Sequence, residues 1–249
     1  MRLLPLVLGL IANCTIAQPD TIIGYAYDVG KSNLRYMETY ASVYDTNGLL
    51  LQSSVQYTSP KKDILALKTL DYSNHPYAPD FTFDNRTANY IESIEWLDDN
   101  NVLVKRKDSG REWEEKIINI PEPAVADAGF DAFLKDQLAP LRQGQTLRFN
   151  FLNPARLDWF RFTATAIGNT STTITVKVAP ANTVLRWLVD PIMLTYQLPD
   201  ELNRLPRLLH YSGLTNMSLD GQDPLVADIF YEYTTHQPKD HTKPIVMLF

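Results

Sequence analysis

The chain has 249 residues, 45% of them hydrophobic, with 23 Lys+Arg against 29 Asp+Glu and a formal net charge of −6. That length suits one large β domain or two small ones, and the acidic balance argues against nucleic acid and anionic lipid headgroups, which repel it. The single cysteine, Cys14, rules out an internal disulfide framework.

The first residues set the expected compartment. Met1-Arg2 carries one positive charge, an apolar run follows from Leu3 to Ala12, and Thr15 and Ala17 stand at the small-residue positions of a cut before Gln18. This is the order of a cleavable secretory signal peptide over residues 1–17. The run is too short to span a bilayer, which takes about 20 apolar residues. Export is therefore expected, and a remainder without cysteine suits a bacterial periplasm. One alternative stays open: lipidation of Cys14 would tether the protein to a membrane, although Asn13 before it fits that pattern poorly.

Beyond the leader the chain reads as strands joined by tight turns. Residues 22–29 form a first strand. Residues 34–45 and 49–59 form a hairpin around Asn47-Gly48, a strong two-residue turn signal. That loop places Tyr44 opposite Leu51, Tyr40 opposite Val55 and Glu38 opposite Tyr57. A second meander covers 89–97, 102–107 and 111–118. With its last turn at Ser109-Gly110, Lys107 faces Glu112, Lys105 faces Glu114 and Arg106 faces Trp113, the last as a cation–π pair.

A helix is predicted over 125–139, where Phe130, Phe133, Leu134 and Leu138 recur at helical spacing with Asp127, Asp131, Lys135 and Asp136 between them. Pro121 and Pro123 precede it and Pro140 is expected to stop it. Strands follow at 145–153, 158–167, 172–179, 192–197, 206–211 and 225–233. The piece 183–189 reads equally as a helical turn or a strand, and 235–249 as a loose polar tail.

The expected fold is mainly β: one curved antiparallel sheet over 18–234, an incomplete barrel, with one short helix packed on the concave side. A split into two domains near 121–144 is the alternative. None of the four histidines makes a metal-binding motif, and no nucleophile elbow, phosphate loop or dinucleotide fingerprint is present. No cofactor and no metal is expected. An enzyme is not expected either, although two carboxylates distant in sequence could form a hydrolase pair.

The aromatic residues then supply the candidates. Phe130, Phe133 and Leu134 would form a lid, and Trp159, Trp187, Tyr36, Tyr40 and Tyr44 a wall, around a lipophilic ligand in the sheet's concavity. Ordinary core packing is the competing explanation of the same residues.

The segments LRWLVDPIMLTY (185–196), RLLHYSGLTNMSLDG (207–221) and VADIFYEY (226–233) resemble the end of a family of uncharacterised bacterial periplasmic β-rich proteins. The shared features are Tyr211, Gly213, Asn216, the Asp220-Gly221 turn and a closing alternating strand. The resemblance covers about the last third of the chain. It implies a sheet similar to the incomplete barrels of periplasmic lipoprotein carriers, which hold acyl chains in an apolar concavity partly covered by helices. It points to a non-catalytic binder of an acyl-chain-like ligand. The alternative is an envelope assembly or scaffolding protein that binds another protein. Membrane contact would come only through a lipidated Cys14.

Overall fold

A computed structural model describes residues 21–30, 32–46, 49–182, 190–201, 204–219, 221 and 223–234. The expected 1–17 leader, the expected Asn47-Gly48 turn, the 183–189 piece with Trp187, Asp220 and the expected tail from 235 lie outside the described residues. The first half comprises β1 (Thr21–Asp28), β2 (Leu34–Tyr44), β3 (Leu50–Thr58), β4 (Ile64–Asp71), β5 (Asp80–Asn85), β6 (Tyr90–Trp96), β7 (Asn101–Lys107) and β8 (Glu114–Asn119). After β9 (Ala124–Ala126) come two short helices, α1 (Gly129–Asp136) and α2 (Leu138–Arg142). The rest is β10 (Leu147–Asn153), a 3-10 turn at Pro154–Arg156, β11 (Asp158–Asn169), β12 (Thr173–Pro180), β13 (Ile192–Gln197), β14 (Arg207–Leu214) and β15 (Val226–Thr234).

The described strands form one 15-stranded sheet, ordered β8-β7-β6-β5-β4-β3-β2-β1-β15-β14-β13-β12-β11-β10-β9. The β9–β10 pair is parallel; the meander on either side of β1–β15 is antiparallel. A flat sheet of this width would be about 70 Å across. Its two outermost strands, β8 and β9, are nevertheless joined directly by residues 120–123, a link that reaches at most about 18 Å. The sheet therefore has to curl until its edges nearly meet. The result is the curved, incompletely closed barrel expected from the hairpin signals.

Strand alternation explains which face turns inward. Tyr36, Val55, Tyr57, Ala66, Leu70, Phe81, Phe83, Ile94, Val102 and Val104 are buried, while the residues between them lie toward the outside. The β9–β10 edge is packed on both faces. Ala124, Ala126 and Leu152 join the core lined by β1–β8 and β15. Val125 and Phe149 join a second core, between α1–α2 and the concave side of β10–β14. The sheet is thus rolled, with this edge tucked inside its other half. The Ala126 N–H donates to the Tyr77 carbonyl (2.9 Å), Lys116 Nζ to the Leu157 carbonyl (3.1 Å), and Arg106 to the Ala155 carbonyl. Both cores belong to one sheet, and the first draws on strands from both sides of residue 121.

Several local expectations change. Two strands, β4 and β5, fill a stretch to which the sequence reading assigns none. The β2–β3 register holds from Met37–Thr58 to Val43–Gln52, but Tyr44 meets Leu50, not Leu51. The loop closes on Asp45, whose N–H and carboxylate both bond Leu49 (2.9 and 2.8 Å), so three residues lie between and a bulge results. In β7–β8 the pairing slips by one: Arg106 faces Glu114 and Lys105 faces Glu115. Residues 108–113 form a longer loop, and the cation over the Trp113 ring is Lys107, at 6.0 Å. The predicted 125–139 helix is instead β9 followed by two helices, and Pro140 lies inside α2. In a first helical turn proline gives up no hydrogen bond.

Candidate functional site

The residues proposed to line one cavity divide between two cores and the surface. Phe130, Phe133 and Leu134 are buried together on α1. Phe130 and Phe133 meet Phe149 with ring centroids 5.8 and 5.2 Å apart, and Phe133 lies edge-on to Tyr77 at 5.4 Å. Tyr36 and Tyr40 belong to the first core, and Trp159 packs against that same core. Tyr44 is exposed at the end of β2. Trp187 is outside the described residues. The concave side of β10–β14 is covered by α1 and α2, and that of β4–β8 by the tucked β9–β10 edge.

What the sequence reading misses is a buried polar cluster at this junction. Lys68 sits in the inward phase of β4, between Ala66 and Leu70, with 6% of its side chain exposed. Its Nζ donates to both Asp127 carboxylate oxygens (2.8 and 2.7 Å) and lies 5.1 Å from the Phe83 ring centre. Asp127 links β9 to α1 with φ 43, a left-handed conformation that Asp tolerates better than most residues. It also accepts from the Ala128 N–H (2.7 Å) and from Asn216 Nδ2 (3.3 Å).

Two further buried carboxylates face the same space. Glu38 accepts hydrogen bonds from the hydroxyls of Tyr40 (2.6 Å) and Tyr231 (3.3 Å). Glu92 accepts one from Tyr90 (2.6 Å). Burial pushes the Glu92 carboxyl up to about 7; the Tyr90 hydrogen bond and Lys68 pull against this, and the Asp127 charge adds to it. Burial likewise raises Glu38, against the pull of Tyr40 and Lys68. The hydroxyls of Tyr36, Tyr40, Tyr57 and Tyr231 are held well above their ordinary value, first by burial and then by the Glu38 charge. Tyr40 and Tyr231 act here as hydrogen-bond donors to Glu38, not as acids.

The 215–219 segment completes the cluster. Met217 is fully buried, and the Ser218 carbonyl accepts from Asn85 Nδ2 and the Thr87 hydroxyl, both at 2.9 Å. The Tyr211, Gly213, Asn216 motif is what delivers this segment. The Tyr211 hydroxyl bonds the Leu214 carbonyl, and Asn216 reaches Asp127.

On the outer face lies an open cleft of about 590 Å³ across β2–β6. Its floor is one cross-strand row of small and hydroxylated side chains, Ala41, Ser54, Thr69, Thr82 and Ser93. Asp71, Asp80 and Glu95 stand beside it. Ser73 hydrogen bonds hold the Asp71 carboxyl below its ordinary range, so it is ionised at neutral pH. Elsewhere on the outer surface His210 is paired with Asp228 (3.2 Å) and stacked on Phe230 (4.5 Å). Among the described residues no group of His, Cys, Asp or Glu is arranged to hold a metal ion.

Against known proteins, no family model, no curated protein and no solved structure matches the chain. The buried cluster did leave a trace in the sequence. Lys68 and Glu92 break the apolar phase of the alternation in ILALKTL (64–70) and YIESIEW (90–96), and a charged residue in the inward phase of a strand is costly unless paired.

Proposed function

We propose that the chain is an exported, non-catalytic protein of the bacterial envelope that binds another protein through the outer cleft of β2–β6. The observation carrying this reading is that the chain's own helices and β9–β10 edge cover the two concave regions, while the cleft of about 590 Å³ faces outward. Small side chains leave hydroxyls within reach of a partner segment, and three carboxylates favour a basic one. A photo-reactive side chain at Thr82 tests it in living cells. One discrete crosslinked envelope protein is expected, lost when Thr69→Arg fills the floor. No discrete product from Thr82 would sink the reading.

A second reading keeps the lipophilic ligand, together with the resemblance to lipoprotein carriers. Its support is that the core between α1–α2 and β10–β14 is lined mainly by apolar and aromatic side chains. An acyl chain would have to take the place of Phe130, Phe133 and Leu134, gaining about 0.8 kcal/mol per buried CH₂. Solvent extraction of the purified protein followed by mass spectrometry decides it. A carried lipid favours this reading. Its absence, with no saturable fatty-acid binding, removes it.

A further inference from the structure

We propose that the tucked β9–α1 segment is a proton-controlled latch, closed by the buried Lys68, Asp127, Glu38 and Glu92 cluster and loosened when that cluster loses its protons. The geometry sets up a shortage of positive charge. Three carboxylates, each nearly inaccessible to water, share a space with one buried ammonium group. Lys68 is committed to Asp127 through two bonds. Arg106, the cross-strand neighbour of Glu92, is committed to Glu114 at 3.0 Å and to the Ala155 carbonyl. The groups facing Glu92 are therefore Tyr90 from its own strand, Arg106 from β7, Lys68 from β4 and Asp127 from the latch. Those facing Glu38 include Tyr40, Tyr231, Lys68 and Asp127, with Tyr36, Tyr57 and Tyr211 beside it. Neither Lys68 nor Arg106 makes a hydrogen bond or ion pair to Glu38 or Glu92, and although both draw on Glu92 from a distance, burial outweighs them and the closed form favours the two carboxyls protonated.

Opening admits water to the cluster and returns each carboxyl toward its ordinary value. Burial holds Glu92 near 7 in the closed form, against an ordinary 4.5. The closed form thus binds this proton more tightly than the open one. Its advantage is complete below pH 4.5, shrinks as pH rises, and levels off above about 7. Where Asp127 is tied to Lys68, Asn216 and the Ala128 N–H, ionised Glu38 and Glu92 compete for the same ammonium. The segment that then loosens is the one carrying Asp127.

Hydrogen exchange of the whole mature protein, corrected for intrinsic rates, measures this opening at pH 5, 6, 7 and 8. Exchange over residues 124–142 is expected to rise at least tenfold from pH 5 to pH 7 and to change little from 7 to 8. Glu92→Gln has the shape of the protonated acid and is expected to fold. It should at least halve the rise on a logarithmic scale, and Glu38→Gln/Glu92→Gln should flatten it. A wild-type rise below tenfold, a full rise retained in Glu92→Gln, or a rise spread evenly over β1–β8 would each overturn the latch.

Discussion

Lys68 is a buried charge on which the interior depends. It is the buried cation that answers Asp127, with both side chains at least nine-tenths covered. Removing one partner of such a pair leaves the other charged and desolvated, which costs about 3–5 kcal/mol, whereas removing both costs much less. Lys68→Ala is therefore expected to lose about that amount in urea unfolding at pH 7, and Lys68→Met/Asp127→Asn clearly less. A single-variant loss within about 1 kcal/mol would show that water reaches the pair. At this scale the sequence was partly legible. Glu38 opposite Tyr57 and Tyr40 opposite Val55 were readable from turn and alternation, and the register bears both out. Asp127 was not. Helical periodicity put it on the wet side of a helix over 125–139, but the helix begins at Gly129, and Asp127, two residues earlier, meets Lys68 in the inward phase of β4.

At the scale of elements, tertiary burial overrode local propensity at β9. Ala124 and Ala126, which flank Val125, have little β-preference, yet all three residues are buried because both faces of the strand meet a core. The same tuck explains Gly129. A Cβ there would lie 2.1 Å from the Tyr77 carbonyl oxygen and 2.6 Å from Pro79 Cδ, and backbone cannot give way as a flexible side chain would. Gly129→Ala is expected to cost about 3 kcal/mol or more, lowering Tm by roughly 6–12 °C for a chain of this size. Gly168→Ala is the control. Its Cβ would make only ordinary contacts, the nearest 3.5 Å from Thr175, and its Tm should fall by much less. Equal losses at the two glycines would refute the close packing of α1 against the 72–79 loop. The β7–β8 slip carries a related lesson. A Ser-Gly pair signals a two-residue turn, but Glu114 gains Arg106 at 3.0 Å in the observed register, and the turn lengthens to suit.

For the whole molecule, repeated hairpin signals made a curved antiparallel sheet legible, since most adjacent pairs are written locally, the long-range β1–β15 pair excepted. The roll was not legible. It depends on the parallel β9–β10 pair and on the short 120–123 link between the two outermost strands, neither of which leaves a periodic trace. The roll also decides how the chain should unfold. The core of β1–β8 is completed by Ala124, Ala126, Leu152, Met217, Ala227 and Ile229, all of them after residue 121. A fragment of 18–121 would expose the inward faces of seven successive strand pairs and leave Lys68 without Asp127. It is expected to lack a cooperative transition, and 122–234 likewise, because Val125 and the helices need the edge held from the other side. The intact chain should unfold in urea as one transition, with far-ultraviolet dichroism and tryptophan fluorescence coinciding. Trp96 in β6 and Trp159 in β11 report from opposite sides of residue 121, and both pack against the first core. Two separated transitions, or a cooperatively folded 18–121 fragment, would mean that the halves are independent domains and that the tuck contributes little to holding them together.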